Sequence, residues 1–178
     1  MKAAILSNIV VDEIVSRDLK SSQSLGGPAA YCGITARRFG FDTTLFSHFG
    51  NDLNHEYLEY LKNQGISFNH LQPSNLPTTR FVLKNSETDR ELTLKSKCNP
   101  IDIEEIKNVK ANCWIISPVF DEVPIDILKY LITSRNEKQF VMLDPQGYTR
   151  IVDAAGRVSI RKKMEIPIRV TNKKMMAI

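Results

Sequence analysis

Short apolar runs alternate with amphipathic stretches along most of the chain. The apolar runs predict buried β-strands at 3–11, 43–50, 111–120 and 139–145. Apolar positions at helical spacing predict α-helices between these strands, at 26–40, 52–65 and 124–131. Such alternation is typical of a parallel sheet with helices on both faces, so the pattern predicts an α/β fold. Asp52 is the expected N-cap of the second helix and Gly65 its stop.

One segment, 78–96, departs from this alternation. Runs rich in β-forming residues flank the polar sequence "NSETD" without helical spacing, which predicts an antiparallel hairpin. We expect the hairpin to form a small separate sheet with residues 12–24. A sheet of this kind often covers a ligand site, so we expect one domain, 1–178, with a lid made of about 12–24 and 77–96.

Composition and charge narrow the classes of function. The chain has 178 residues, a net charge of +4 and no apolar run long enough to form a membrane helix. Its three cysteines and three histidines are widely spaced, which indicates neither a disulfide framework nor a metal site and fits a cytoplasmic protein. Seven basic residues and one acidic residue lie from Arg157 onward. Without interleaved aromatic residues, this basic end favours a solvated surface over a nucleic-acid partner.

The stretch "SLGGPAAYCGITARRFG" places Gly26 and Gly27 at the start of a predicted helix. A helix start exposes unpaired backbone N–H groups and carries a partial positive charge. Glycine lets a ligand touch the main chain, and Pro28 suits the first helical turn. The stretch therefore suits an oxygen-rich ligand beneath the lid; the alternative is a tight turn whose glycines adopt positive φ.

Longer segments of the chain carry a resemblance to a known family. They occur in the order "NIVVDEI", "GGPAAYCGITARRFG", "FSHFGNDLNHEYLEYLKNQGIS", "PTTRFVLKNSETDRELTL" and "VMLDPQGYTR". Together they resemble the N-terminal part of the ribokinase-like (PfkB) carbohydrate kinase family, from about residue 3 to residue 150. The resemblance implies a three-layer α/β/α sandwich with a small β lid, truncated at its C-terminal side. It also implies transfer of the ATP γ-phosphate, with Mg²⁺ present, to a hydroxyl of a sugar or nucleoside.

The resemblance also implies a substrate site. Asp12 would accept hydrogen bonds from substrate hydroxyls, and Gly26 and Gly27 would let the sugar lie against the backbone. Tyr31 stands where many members have Asn, and would offer a hydroxyl group or a ring instead. Arg90 lies where several relatives place an arginine that reaches the substrate or its phosphate, although an exposed hairpin arginine can equally be solvated.

The phosphate side of the resemblance is less complete. Asp144, Gln146 and Arg150 lie in a loop that faces the phosphate in the family, or they are structural. Asn172 matches the first residue of the family's Asn-x-x-Glu motif for Mg²⁺, but Met175 replaces the glutamate. The family's Gly-Ala-Gly-Asp run, which supplies the anion hole and the base, does not occur in these 178 residues.

These departures predict a chain with the substrate-binding half of a sugar kinase and little or no activity alone. The alternatives are a non-catalytic sugar-binding or oligomerisation module and a gene remnant. We expect a homo-oligomer, with the lid hairpin as the first candidate for the contact, because a sheet that stops after this many strands leaves an edge and an apolar face uncovered. No nucleic acid or membrane is expected as a partner.

Overall fold

The computed structural model describes residues 1–85, 90–161 and 175–177. These residues form strands β1–β12, which are Lys2–Leu6, Val10–Val15, Ser21–Gly26, Asp42–Gly50, Ser67–Ser74, Thr79–Asn85, Arg90–Ser96, Cys113–Ile116, Phe140–Leu143, Arg150–Val152, Val158–Ile160 and Met175–Ala177. They also form helices α1–α4, which are Gly27–Arg38, His55–Asn63, Ile125–Ser134 and Gln146–Thr149, and a 3-10 helix at Ile103–Glu105.

Six of the described strands form a parallel sheet in the order β12-β9-β8-β1-β4-β5. β1 lies near its centre, and its sequence "KAAIL" is buried from the second residue on. A parallel strand covered on both faces needs apolar residues at successive positions, which explains this unbroken run.

Helices cover both faces of this sheet and make three layers. On one face, Ala3 and Ile5 of β1 pack in a cluster with residues of α1 and α2. On the other face, Ala4 and Leu6 pack in a cluster with residues of α3 and of the segment around the 3-10 helix. Successive side chains of a strand point to opposite faces, so one short strand contributes to both cores.

A second sheet has the order β3-β2-β6-β7 within residues 10–26 and 79–96. β2 pairs antiparallel with β3 and parallel with β6, and β6 and β7 form the hairpin. We call it the small sheet. A further hairpin, β10–β11, lies beside it, with an antiparallel bridge between Thr93 and Arg157.

The predicted single strand at 3–11 is wrong, because the chain changes sheets within it. β1 ends at Leu6 and β2 begins at Val10. Between them, the side-chain oxygen of Asn8 accepts a hydrogen bond from the backbone N–H of His48 at 2.8 Å, and its side-chain nitrogen donates to the Asn99 carbonyl at 2.8 Å. These contacts hold a bend inside an apolar run, where hydrophobicity alone predicts continuity.

Two other local predictions also need correction. Asn54, and not Asp52, caps α2, accepting a hydrogen bond from Glu56 N at 3.0 Å. Asp52 instead accepts hydrogen bonds from Thr78 N at 2.8 Å and from Arg80 Nε at 3.0 Å, which ties the end of β4 to the start of β6. The strand predicted at 111–120 is confined to Cys113–Ile116.

Some features were not predicted or cannot be compared. β5 was not anticipated from the sequence. The stretch "IPIRVTN", at 166–172, resembles the next strand of the family but lies outside the described residues; the described strand that pairs with β9 is Met175–Ala177. No helix among the described residues has the length and apolar character needed to span a membrane.

Candidate functional site

A cavity of about 590 Å³ lies between the small sheet and the loops that follow β8 and β9. It opens at the carboxyl ends of the parallel strands. The chain crosses from β1 to β4 on one side and later places β8 on the other side of β1, so the strand order reverses there. In open α/β sheets, ligands bind in the crevice at such a reversal.

The small sheet supplies one wall of this cavity. Asp12 pairs in register with Phe81, and Leu83 pairs with Leu92, so these side chains share one face. All four line the cavity, and Arg90 lines it at the start of β7. The wall is therefore apolar, with one carboxylate within it and a guanidinium at the beginning of its last strand.

Gly26 is required for the position of the Asp12 carboxylate. A Cβ at Gly26 would lie 2.0 Å from Asp12 Oδ2. Gly26 is buried behind this carboxylate and is not among the residues that line the cavity. Gly26 thus leaves space for the Asp12 carboxylate, and its predicted direct contact with a ligand stays a prediction.

The N-terminus of α1 supplies a second wall. Gly27 has φ +77°, a conformation that glycine adopts without strain, and Pro28 follows within the first turn. Gly27, Pro28, Tyr31 and Cys32 line the cavity, and Tyr31 is 60% exposed. No side chain among the described residues caps this helix, so its first N–H groups suit an oxygen-rich ligand.

The segment from the end of β9 to the start of β10 supplies the third wall, with Asp144, Gln146 and Arg150. Asp144 is held by two hydrogen bonds: Oδ2 accepts from Ser117 Oγ at 2.8 Å and Oδ1 accepts from Gln146 N at 3.0 Å. Arg150 Nη1 donates to the Val119 carbonyl at 2.8 Å. The carboxylate and the guanidinium are therefore fixed before any ligand binds.

Charges of both signs interact across the cavity. Burial raises the pKa of Asp12, and the positive charges of Arg90 and Arg150 oppose that rise. Burial lowers the pKa of Arg150, against the effect of the nearby carboxylates of Glu122, Asp144 and Asp12. Two cations and two carboxylates around one cavity are suited to a polar ligand with both donors and acceptors.

Most of the residues predicted for the site are brought together in this cavity. Asp12, Gly27, Tyr31, Arg90, Asp144, Gln146 and Arg150 line it. Gly26 lies behind Asp12, and Asn172 lies outside the described residues. Their roles toward a ligand stay predictions.

Sequence reasoning missed the contributions of the β8 loop and of the β10–β11 hairpin. Ser117 and Val119 line the cavity from the first, and Val158 and Ile160 from the second. It also missed Glu122, which is 1% exposed. The available signal was the position of Glu122, one of three acidic residues in the largely apolar stretch "IISPVFDEVPIDIL".

Among the described residues, no group of three His, Cys, Asp or Glu side chains is placed to hold a metal ion. Of the two carboxylates that line the cavity, Asp144 accepts a hydrogen bond from Ser117. The other, Asp12, interacts with the positive charges of Arg90 and Arg150.

Comparisons with known proteins show the fold. No family model matches the sequence, and no curated protein sequence matches it. The structure is similar to a pyrophosphate-dependent kinase in the ribokinase family complexed with a pyrophosphate analog and myo-inositol, with TM-score 0.76, 19% identity, and coverage of 89% of this chain and 54% of that chain. It is also similar to Halothermothrix orenii fructokinase, with TM-score 0.63, 21% identity, and coverage of 82% and 57%.

A third similar structure is a ribokinase from Thermotoga maritima, with TM-score 0.62, 16% identity, and coverage of 82% of this chain and 50% of that chain. The chain thus has the ribokinase-like α/β fold, as the resemblance implied. It spans about half the length of these solved structures.

Proposed function

We propose that the cavity binds a hydroxylated small molecule, such as a sugar, a cyclitol or a nucleoside, as the acceptor site of a ribokinase-type phosphotransferase. The observation that carries this proposal is the convergence of Asp12, Gly27, Arg90, Asp144 and Arg150 on one cavity at the reversal of the strand order. Similar structures include an inositol-bound kinase and a fructokinase, which supports this class of acceptor.

The chemistry of the walls suits such an acceptor. The carboxylates of Asp12 and Asp144 accept hydrogen bonds from ligand hydroxyls, and Arg90 and Arg150 donate to ligand oxygens. The apolar face made by Phe81 and Leu83 suits the C–H faces of a sugar or cyclitol ring. A ligand with alternating hydroxyl and C–H groups satisfies both kinds of surface.

Phosphoryl transfer needs more than this site. A bond must form between an acceptor oxygen and phosphorus while the hydroxyl proton leaves to a base and the transferred charge is stabilised. The sequence contains no Gly-Ala-Gly-Asp run and no P-loop to do this. One similar structure is a ribokinase in complex with ADP and another is pyrophosphate-dependent, so ATP and pyrophosphate are the donors to test. We expect this chain alone to bind its acceptor with little or no turnover.

Calorimetry beside a kinase assay tests the proposal. The panel contains D-ribose, D-fructose, myo-inositol and adenosine, and the assay uses Mg²⁺ with ATP or with pyrophosphate. Heat of binding without turnover supports the proposal. Turnover overturns the expectation that the chain is inactive alone, and the absence of heat from every compound overturns the acceptor site.

Asp12→Asn gives a sharper test, with Asp18→Asn as the matched control. We expect at least about tenfold weaker binding for Asp12→Asn, because an amide replaces a charged acceptor. Asp18 lies in the turn between β2 and β3 of the small sheet, with an exposed side chain. Equal affinities of the two variants would contradict the role of Asp12.

The same variant has an expected effect on stability. The pKa of Asp12 is raised in the folded protein, so its favourable contribution is present at low pH and is lost as the pH rises through the folded-state pKa. At neutral pH the buried charge opposes folding. Asp12→Asn should therefore unfold at a higher temperature than the wild type at pH 7, while it binds more weakly.

A second candidate function is an assembly module without catalysis. The observation that favours it is an apolar groove of about 390 Å³ between α1 and the face of β8 and β9, lined by residues that include Tyr31, Phe39, Ile115 and Met142. An exposed apolar groove of this kind suits a protein contact.

A further inference from the structure

Glu122 is a buried acid that the acceptor chemistry leaves without a role. Its side chain is 1% exposed, in the loop between β8 and α3. One carboxylate oxygen, Oε1, accepts hydrogen bonds from Val119 N at 2.6 Å and, at 3.4 Å each, from Asn8 N and Ser7 Oγ. The other, Oε2, accepts from Phe120 N at 2.7 Å. The carboxylate thus joins the bend after β1 to the loop after β8.

One of these contacts connects Glu122 to the cavity through a single peptide group. The peptide between residues 119 and 120 contains the Val119 carbonyl and the Phe120 N–H. Its N–H donates to Glu122 Oε2 at 2.7 Å, while its carbonyl accepts from Arg150 Nη1 at 2.8 Å. A carboxylate at one end and a guanidinium at the other polarise the same peptide, so each hydrogen bond strengthens the other.

Arg150 is the group that this connection orients. Its guanidinium carbon lies 5.6 Å from the centre of the Phe81 ring, and its side chain lines the cavity. A long arginine side chain has many rotamers, and fixing one of them before a ligand arrives removes part of the cost of binding. The charge of Glu122 also acts favourably on the Arg150 guanidinium.

We propose that Glu122 is a positioning residue that holds Arg150 in the acceptor cavity through the peptide between residues 119 and 120. Glu122 itself does not line the cavity. The consequence for ligand affinity rests on the proposed function, whereas the orientation of Arg150 does not.

The geometry requires a carboxylate, and an amide cannot replace it. The three backbone groups around Glu122 are all N–H donors, and they approach both oxygens. A glutamine would direct its NH₂ group against at least one of them, since only one of its two side-chain positions accepts. Glu122→Gln therefore removes one of the two acceptor oxygens with almost no change in side-chain size.

NMR of the arginine side chain tests the orientation without any ligand. In the wild type, the Arg150 guanidinium protons should exchange slowly with water, and in Glu122→Gln they should exchange about tenfold faster as the hydrogen bond to Val119 loosens. Glu104→Gln, which removes a charge from an exposed side chain, is the matched control and should leave them unchanged. Equal Arg150 exchange in folded Glu122→Gln and wild type would overturn the proposal.

A variant at the other end of the connection keeps the test decisive if Glu122→Gln does not fold. In Arg150→Gln, the Phe120 amide proton should shift upfield, because its peptide loses the guanidinium at the carbonyl. The Val119 amide also donates to Glu122 but belongs to the preceding peptide, so it should shift much less. Equal shifts of the two amides would contradict the connection.

Binding measurements then examine the consequence for a ligand. D-ribose and myo-inositol are titrated into wild type, Glu122→Gln, Arg150→Gln and the double variant. We expect each single variant to bind about tenfold more weakly and the double variant to bind no more weakly than Arg150→Gln. Additive losses would overturn the proposal. If neither compound binds the wild type, the acceptor proposal fails for them, while the NMR result still decides the role of Glu122.

Discussion

The Asp12 carboxylate lies in the cavity because Gly26, on the neighbouring strand, has no side chain. Asp12 stands on β2 and Gly26 ends β3, and the Cβ that any other residue would bring lies 2.0 Å from Asp12 Oδ2. Gly26 itself has an ordinary extended backbone, with φ −127°. The glycine is therefore required for space, whereas Gly27, with φ +77°, is required for backbone conformation.

Gly26→Ala tests this at the scale of one residue. The added methyl group must displace the Asp12 carboxylate, so we expect at least about tenfold weaker acceptor binding and a loss of roughly 1–3 kcal/mol of stability. Calorimetry and thermal unfolding measure the two effects. Gly40→Ala is the control: it strains a residue at φ +80°, where a Cβ would meet nothing within 4 Å. Wild-type affinity in Gly26→Ala would show that Asp12 needs no such space.

The β10–β11 hairpin attaches the segment that follows β9 to the small sheet. Leu94 N donates to the Gly156 carbonyl at 2.8 Å, and Thr93 forms a bridge with Arg157. A Cβ at Gly156 would lie 2.7 Å from the Leu94 carbonyl oxygen, and Gly156 has φ +82°. Val158 and Ile160 of the same hairpin line the cavity. The small sheet is thus also held through its edge strand β7, in addition to its covalent links to the rest of the chain.

Gly156→Ala should detach this hairpin from β7. We expect faster hydrogen exchange of the Leu94 amide, by about tenfold or more, because its hydrogen bond to residue 156 is lost. Acceptor binding should weaken as the cavity wall moves. Gly40→Ala is again the control, because it strains a residue of positive φ without disturbing a neighbouring atom. An unchanged Leu94 exchange rate would show that the hairpin is not a tether.

A histidine and a glutamate join β4 to the segment that returns from the small sheet. His48 Nε2 lies 3.0 Å from Glu105 Oε1, and its Nδ1 lies 3.3 Å from the Asn99 carbonyl oxygen. Both partners are acceptors, which favours the doubly protonated imidazolium, and the hydrogen bond to Glu105 raises the pKa of His48. Glu105 Oε2 is buried and has no hydrogen-bond partner among the described residues.

This pair should make stability depend on pH just above the ordinary histidine range. Because the folded-state pKa of His48 is raised above 6.5, its contribution is fully present below the unfolded-state pKa and is lost as the pH rises through the folded-state value. Thermal unfolding of the wild type should therefore show a decline across that window, and His48→Gln should flatten it. His55→Gln, at an exposed position, should keep the decline. A decline that persists in His48→Gln would contradict the assignment.

Over the whole molecule, the two faces of the parallel sheet are covered unequally within the described residues. α1 and α2 pack with the central strands on one face, but the groove beside α1 leaves Ile115 and Met142 only partly buried. At its rim, Phe39 is 79% exposed. Apolar surface of this kind is favourably buried against another protein.

We predict that two copies of the chain associate in a concentration-dependent manner, which sedimentation velocity measures. Phe39→Glu places a charge at the groove and should shift the equilibrium toward monomer. Leu19→Glu tests the alternative, a contact through the small sheet, since Leu19 lies in its β2–β3 turn and is 85% exposed. Loss of association in Leu19→Glu alone would place the contact on the small sheet, and a monomer at every concentration would overturn the prediction.

The sequence by itself determined the features that depend on local pattern. Alternating apolar runs and helical spacing predicted the parallel sheet and α1–α3, and β-rich runs around a polar turn predicted the β6–β7 hairpin. The resemblance to ribokinase-like proteins agreed with the fold. Seven of the predicted site residues line one cavity, because the segments that carried the resemblance are the ones that meet at the carboxyl ends of the strands.

Only the tertiary structure decided which residues act on one another across long separations in sequence. The break between β1 and β2 depends on Asn8 meeting Asn99 and the backbone of His48, and the position of Asp12 depends on the space at Gly26. The connection from Glu122 to Arg150 depends on one peptide group lying between them. Such contacts leave no periodic signal, because hydrogen bonds and steric exclusion act over a few ångströms in space, whatever the distance along the chain.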